Sequence, residues 1–185
     1  SEIDEVRREV EELERRAEEV DREVERRSKE LKERVDDVDR RSRELSKRLK
    51  DTADEVRKRV RGREDLERVV RDLEKKVEEV VETSKRLSDE LRKEAEKHTE
   101  DVERLSRKLV EELREIVDRV RKRLRDKDKL ETIRRRLEEV LKRNKETVDE
   151  IRRRNEDVIR RNEESLEKNE RDLRRVLDEV RRSAT

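Results

Sequence analysis

Apolar residues recur every three or four positions along nearly the whole chain, in three stripes separated by two short polar breaks. The first runs Ile3, Val6, Val10, Leu13, Ala17, Val20, Val24, Ser28, Leu31, Val35, Val38, Ser42, Leu45, Leu49, Ala53, Val56 and Val60. The second passes through Leu66, Val70, Leu73, Val77, Val80, Ser84, Leu87, Leu91, Ala95, His98, Val102, Leu105, Leu109, Leu113, Ile116, Val120 and Leu124. The third is Leu130, Ile133, Leu137, Val140, Asn144, Val148, Ile151, Asn155, Val158, Asn162, Leu166, Asn169, Leu173, Val176 and Val180. Such spacing keeps each set on one face of a helix. It predicts α-helices over about 2–60, 65–124 and 129–182. The mean step of the first stripe falls between the ~3.5 residues of a left-handed coiled coil and the ~3.6 of a straight helix, so weak supercoiling is expected.

The breaks carry their own signals. Gly62, the single glycine, follows the last residue of the first stripe and a basic stretch at 57–61. A glycine there is expected to stop the helix in a left-handed conformation, with the basic turn complementing the negative end of the helix dipole. At the second break, Asp126 or Asp128 can cap a new helix, and Asp128 with Glu131 reads as a capping box. Ser1 with Asp4 reads as a further capping pair.

Three stripes of near-equal length joined by a few residues predict an all-α fold: an elongated, antiparallel (up-down-up) three-helix bundle with coiled-coil-like packing. It is expected to form a single domain over 1–185, with helices roughly 85 Å long. One continuous extended coiled coil is the competing fold. The two breaks, falling at regular thirds, favour the folded-back bundle.

Several stripe positions are polar. Folding the second helix back about Gly62 pairs residues whose numbers sum to about 125, and folding the third about Lys127 pairs those summing to about 254. On that register Ser28, His98 and Asn155 share one height, and Ser42, Ser84 and Asn169 another. Asn162 falls near Ser88 and Leu91, while Asn144 falls near Val110 with Ala17 opposite. A buried polar group left without a partner costs about 1–3 kcal/mol, so these residues are expected to satisfy one another as a structural polar core. Shifted registers would strand them against Leu or Val. Thr83, Thr99, Ser106 and Thr147 have a simpler reading as boundary residues bonded to the preceding turn, and solvated edge positions compete for Asn144 and Asn162.

Composition removes most functional classes. The chain is 62% charged and 26% hydrophobic, with 58 Lys plus Arg against 57 Asp plus Glu and no Phe, Trp, Tyr, Cys, Met or Pro. So polar a chain invites a disordered reading, but interspersed charges and strictly periodic Leu, Val, Ile and Ala argue for long helices. The lack of cysteine excludes a disulfide framework and a thiolate nucleophile. His98 is the sole histidine, and no carboxylate pair stands out, so neither a catalytic site nor a metal or cofactor site is expected. The Arg runs at 134–136 and 152–154 alternate with acidic pairs and lack aromatics to stack bases, so they read as solvated faces and not as a nucleic-acid surface. No apolar run is long enough to span a membrane, nothing resembles a targeting signal, and no compartment is indicated.

Near-equal helices filled with Leu and Val, coated with Glu, Lys and Arg, without aromatics and with Ser, Asn and His inside the seams resemble de novo designed helical bundles with buried hydrogen-bond networks. The resemblance spans the chain and is one of style; charged, glycine-poor connections and a lean, Val-rich core depart from it. Spectrin-like repeats and apolipoprotein-type bundles would show core aromatics or prolines. The resemblance implies a designed structural scaffold without natural biochemical activity, needing no partner, whose polar layers specify register and topology. The alternative is a self-assembling or partner-binding bundle, a homo-oligomer or a complex with another helical protein. It rests on doubled apolar positions in helices two and three: Val69–Val70, Val80–Val81, Leu109–Val110, Ile116–Val117, Val140–Leu141, Val158–Ile159 and Val176–Leu177.

Overall fold

The computed structural model describes residues 2–60, 62–123 and 125–182. Three helices account for almost all of them: α1 (Glu2–Arg59), α2 (Arg63–Arg123) and α3 (Lys127–Arg182). The expected cap at Ser1, the basic residue Arg61 and the last residue of the second stripe, Leu124, lie outside the described residues.

Each helix contributes one segment to each of two compact units. Unit 1 comprises Ser1–Glu30 with Ala95–Glu156, and unit 2 comprises Leu31–Glu94 with Asp157–Thr185. Both are three-helix bundles. In unit 1 the pairs Glu9–Arg119, Arg16–Glu112 and Arg27–Asp101 run in opposite senses along α1 and α2. Glu14–Arg136, Asp21–Arg143 and Glu25–Arg154 run in the same sense along α1 and α3. In unit 2, Arg34–Glu94 and Ser42–Ser84 fix the antiparallel pairing of α1 with α2, and Arg92–Glu163 and Glu74–Arg181 that of α2 with α3. The up-down-up order expected from the stripes is therefore present in each unit.

The stripes supply the cores. In unit 1, Val10, Leu13, Ala17, Leu109, Leu113, Ile116, Val120, Ile133, Leu137 and Val140 form one buried cluster, and Val24, Val102 and Ile151 a smaller one. In unit 2 the corresponding cluster is Leu49, Ala53, Leu66, Leu73, Val77, Leu173, Leu177 and Val180. Each Leu or Ile so buried contributes about 1.5–3 kcal/mol, which lets a lean core hold a highly charged chain. The Arg–carboxylate pairs along the seams are mostly exposed and add at most about 1 kcal/mol each. Two stripe positions turn out of the core. Leu105 is 44% exposed while neighbouring Ser106 is half-buried, and Ser46 is buried where Leu45 is half-buried. One residue turns the helix by about 100°, so a small azimuthal shift trades adjacent positions.

The helix ends correct two expectations. Gly62 is not left-handed, since no described residue has a positive φ. α1 closes with Val60 N–H donating to Val56 O, and Gly62 O accepts from Leu66 N–H as the first bond of α2, each at 3.1 Å. Gly62 is thus an N-cap. Glu64 and Asp65 follow in the first turn, where negative charge complements the dipole. At the second connection the capping residue is Asp126, with Asp128 already inside the first turn. Asp126 O accepts from Leu130 N–H at 3.1 Å, and its Oδ1 accepts from the backbone N–H of Asp128 at 3.1 Å and of Lys129 at 3.5 Å. The Asp128–Glu131 capping box is displaced because the helix starts two residues earlier than expected, at Lys127.

Candidate functional site

The polar groups that the helices carry inward are the chemically distinctive feature of both units, and the pattern of their partners differs from layer to layer. In unit 2, Asn162 on α3 is fully buried. It accepts from Ser88 Oγ on α2 at 3.0 Å through Oδ1 and donates from Nδ2 to Asp39 Oδ1 on α1 at 2.9 Å. One amide therefore ties all three helices. Asp39 is half-buried, and desolvation raises its carboxyl above the usual carboxylate range; the Asn162 bond, Arg43 and Ser165 pull it back, while Asp36 pushes it further up. Carrying Asp39 as a charge is thus costly, and the Asn162 N–H offsets part of that cost.

A second layer of unit 2 brings Ser42 and Ser84 together at 3.2 Å between hydroxyls, and Asn169 Nδ2 donates to Ser42 O at 3.2 Å. Ser46 Oγ donates to the same carbonyl at 2.9 Å. All three serines are buried, whereas Asn169 is half-buried.

Unit 1 behaves differently. Asn155 is buried, yet its Nδ2 donates to Thr99 Oγ1 at 3.1 Å and to Ala95 O at 3.3 Å, not to His98. Thr99 Oγ1 in turn donates to Ala95 O at 3.0 Å, so a residue expected at the boundary completes this contact. His98 is 3% exposed, and neither ring nitrogen has a partner; Ser28 Oγ is likewise shut off without one. The expected mutual satisfaction of Ser28, His98 and Asn155 is absent. Asn144 is buried and donates to Ser106 Oγ at 2.6 Å and Ser106 O at 3.3 Å, so its partner is Ser106, not the neighbourhood of Val110. Thr147 Oγ1 donates to Asp21 Oδ1 at 2.6 Å, adding an α1–α3 contact that the polar-core reading missed.

Burial pushes the His98 imidazole below its ordinary value, and Arg27 adds to this; Asp101, Glu23 and Glu30 act in the opposite direction. Arg27 Nη1 donates to Asp101 Oδ2 at 3.1 Å, and this bond holds the Asp101 carboxyl below the usual range.

Among the described residues no group of three or more His, Cys, Asp or Glu is placed to hold a metal ion, and no helix is long and apolar enough to cross a membrane. The Arg runs engage the protein's own acids: Arg134 pairs with Glu138, Arg136 with Glu14, Arg152 with Glu103 and Arg154 with Glu25. A groove of about 490 Å³ in unit 1 is lined by Val20, Leu105 and Leu109 under Arg16, Lys108 and acidic neighbours. One of about 170 Å³ in unit 2 runs between α2 and α3 beside Val80, Ser84 and Leu166.

No family model matches the sequence, and no curated protein matches it significantly. Among solved structures the chain is similar to a computationally designed three-helix bundle, with 15% sequence identity and a TM-score of 0.49 over 98% of this chain and 93% of that one.

Proposed function

We propose that this chain is a designed structural scaffold without biochemical activity of its own, in which buried polar layers specify helix register and topology. The observation that carries this reading is the Ser88–Asn162–Asp39 contact, in which one fully buried amide meets groups from the two other helices. Sliding α2 by a heptad would bring Val81 or Ala95 to the place of Ser88 and leave Asn162 Oδ1 without its donor, a penalty that uniform Leu and Val layers do not impose; the heptad-spaced Asn155, Asn162 and Asn169 restrain α3 less. The composition supports the same conclusion, with its periodic Leu and Val, near-balanced charge and complete lack of aromatics, cysteine, methionine and proline.

The partner-binding alternative draws less support. Of the doubled apolar positions, Leu141 alone is exposed; the others are buried or half-buried, and Val69, Val70, Val80, Val81, Val117 and Val176 pack against the buried clusters. Most of those faces are at least half-covered within the units, which supports the scaffold reading.

The test is to make the unit 2 layers apolar together, as Ser42→Ala, Ser84→Ala, Ser88→Ala and Asn162→Leu, and to record amide spectra and inter-helix distances from paired spin labels. Retained helicity with doubled resonances or broadened distances is the expected result. A single set of resonances with unchanged distances would show that apolar packing alone sets the register.

A further inference from the structure

We propose that unit 1 contains an acid-triggered conformational switch centred on His98, in which protonation moves the ring out of the core to the carboxylates of the α1/α2 seam and loosens the helix packing around it. The argument starts from a comparison of equivalent layers. Ser28, His98 and Asn155 are each displaced by fourteen positions from Ser42, Ser84 and Asn169, so the two triplets occupy the same heptad places. In unit 2 the two hydroxyls bond directly at 3.2 Å. In unit 1 an imidazole replaces the second serine, and neither it nor Ser28 finds a partner.

A neutral imidazole carries one donor and one acceptor, and here both are buried unsatisfied. Four residues away along each helix lie Val24, Val102 and Ile151, which form an apolar cluster. The core therefore offers nothing to an imidazolium. From α1 the charged groups acting on the ring are Glu23, Arg27 and Glu30, and from its own helix Asp101. At the same height on α3, Arg152 and Arg154 are engaged with Glu103 at 2.7 Å and Glu25 at 2.9 Å. Arg27 is bonded to Asp101 and repels a second cation.

At the seam three carboxylates and water face the one guanidinium of Arg27, so the balance reverses. Glu23, Glu30 and Asp101 are all at least partly exposed, and Asp101 stands three residues from His98 on α2, where side chains meet on the helix surface. The neutral ring thus belongs inside and the charged ring at the seam, giving two states whose ratio depends on pH. Beside these carboxylates the outward ring titrates at or above the ordinary imidazole value and the buried ring below it, so protons are taken up by the outward state. Opening begins as pH falls through the outward ring's titration and grows until the buried ring itself would protonate.

The test uses the full chain labelled with 15N and 13C. The His98 ring resonance is titrated from pH 8 to 4.5, and amide exchange is followed in both units after correction for its intrinsic pH dependence. Protection at 20–30, 95–102 and 148–156 should fall several-fold between pH 7.5 and 5. Protection at 66–84 should not fall with it, and His98→Leu should abolish the loss. Unchanged protection in unit 1, an equal loss in both units, or a loss that survives in His98→Leu would each overturn the proposal. The wild-type comparison decides the matter even if the variant folds poorly.

Discussion

Asn162 Nδ2 donates to Asp39 Oδ1 at 2.9 Å across α3 and α1, although one residue is fully buried and the other carries a carboxylate. The same amide accepts from Ser88, so its removal strands groups on two helices. Asn155 differs: without it, Thr99 Oγ1 still donates to Ala95 O. Asn162→Leu should therefore lower unfolding free energy by about 1–3 kcal/mol, while Asn155→Leu should change it by less than about 1 kcal/mol. Denaturant unfolding of both variants measures the contrast, and equal losses would contradict it.

Asp39 gives a pH dependence of definite sign. Its folded-state pKa is raised, so in the range between the ordinary value and the raised one the folded chain holds more protons than the unfolded chain. The destabilising contribution of its buried charge is full at neutral pH. It fades as pH falls through the folded-state value and is gone below the ordinary value. Asp39→Asn, which keeps an acceptor for Asn162, should be at least as stable as the parent at pH 7 and lose that relative advantage near pH 4. Unfolding curves for the pair across this range are the check; a widening advantage at low pH would reverse the assigned sign.

Gly62 has open space where a Cβ would stand and no left-handed backbone to protect. As the N-cap of α2 it supplies a carbonyl but no side-chain acceptor. Gly62→Asp or Gly62→Ser should stabilise the chain by a few tenths to about 1 kcal/mol. A loss of about 1 kcal/mol on both substitutions would instead indicate a left-handed helix stop.

Leu105 and Leu141 are the exposed large hydrophobics among the described residues, at 44% and 43%. Singly exposed leucines are ordinary on a protein surface. Leu105→Lys and Leu141→Lys should leave stability within about 0.5 kcal/mol of the parent. Light scattering across a concentration series should give the 22.8 kDa chain mass for parent and variants alike. A multiple of that mass, abolished by either substitution, would turn the conclusion toward assembly.

Much of this organisation is written in the linear order of residues. Unbroken stripes with steps of three and four determine three helices, their antiparallel order and the heights at which Ser42 meets Ser84 and Ser88 meets Asn162, because a helix converts sequence separation into axial distance at a constant rise. Azimuth is less legible. His98 and Thr99 share a height within one residue's rise but point about 100° apart, and tertiary packing gave the α3-facing place to Thr99, leaving His98 without Asn155. Ser106 gained Asn144 in the same way, and Leu105 was turned to the surface. Asp39 and Asp21 were hidden among so many carboxylates that nothing in the pattern distinguishes them before their partners are in place. The division into two compact units leaves no mark either, since the stripes continue through 30–31, 94–95 and 156–157 without a break. Periodicity determines which residues can meet; which of them bond depends on how the three helices rotate about their axes to bury Leu, Ile and Val, and that is decided only when all three pack together.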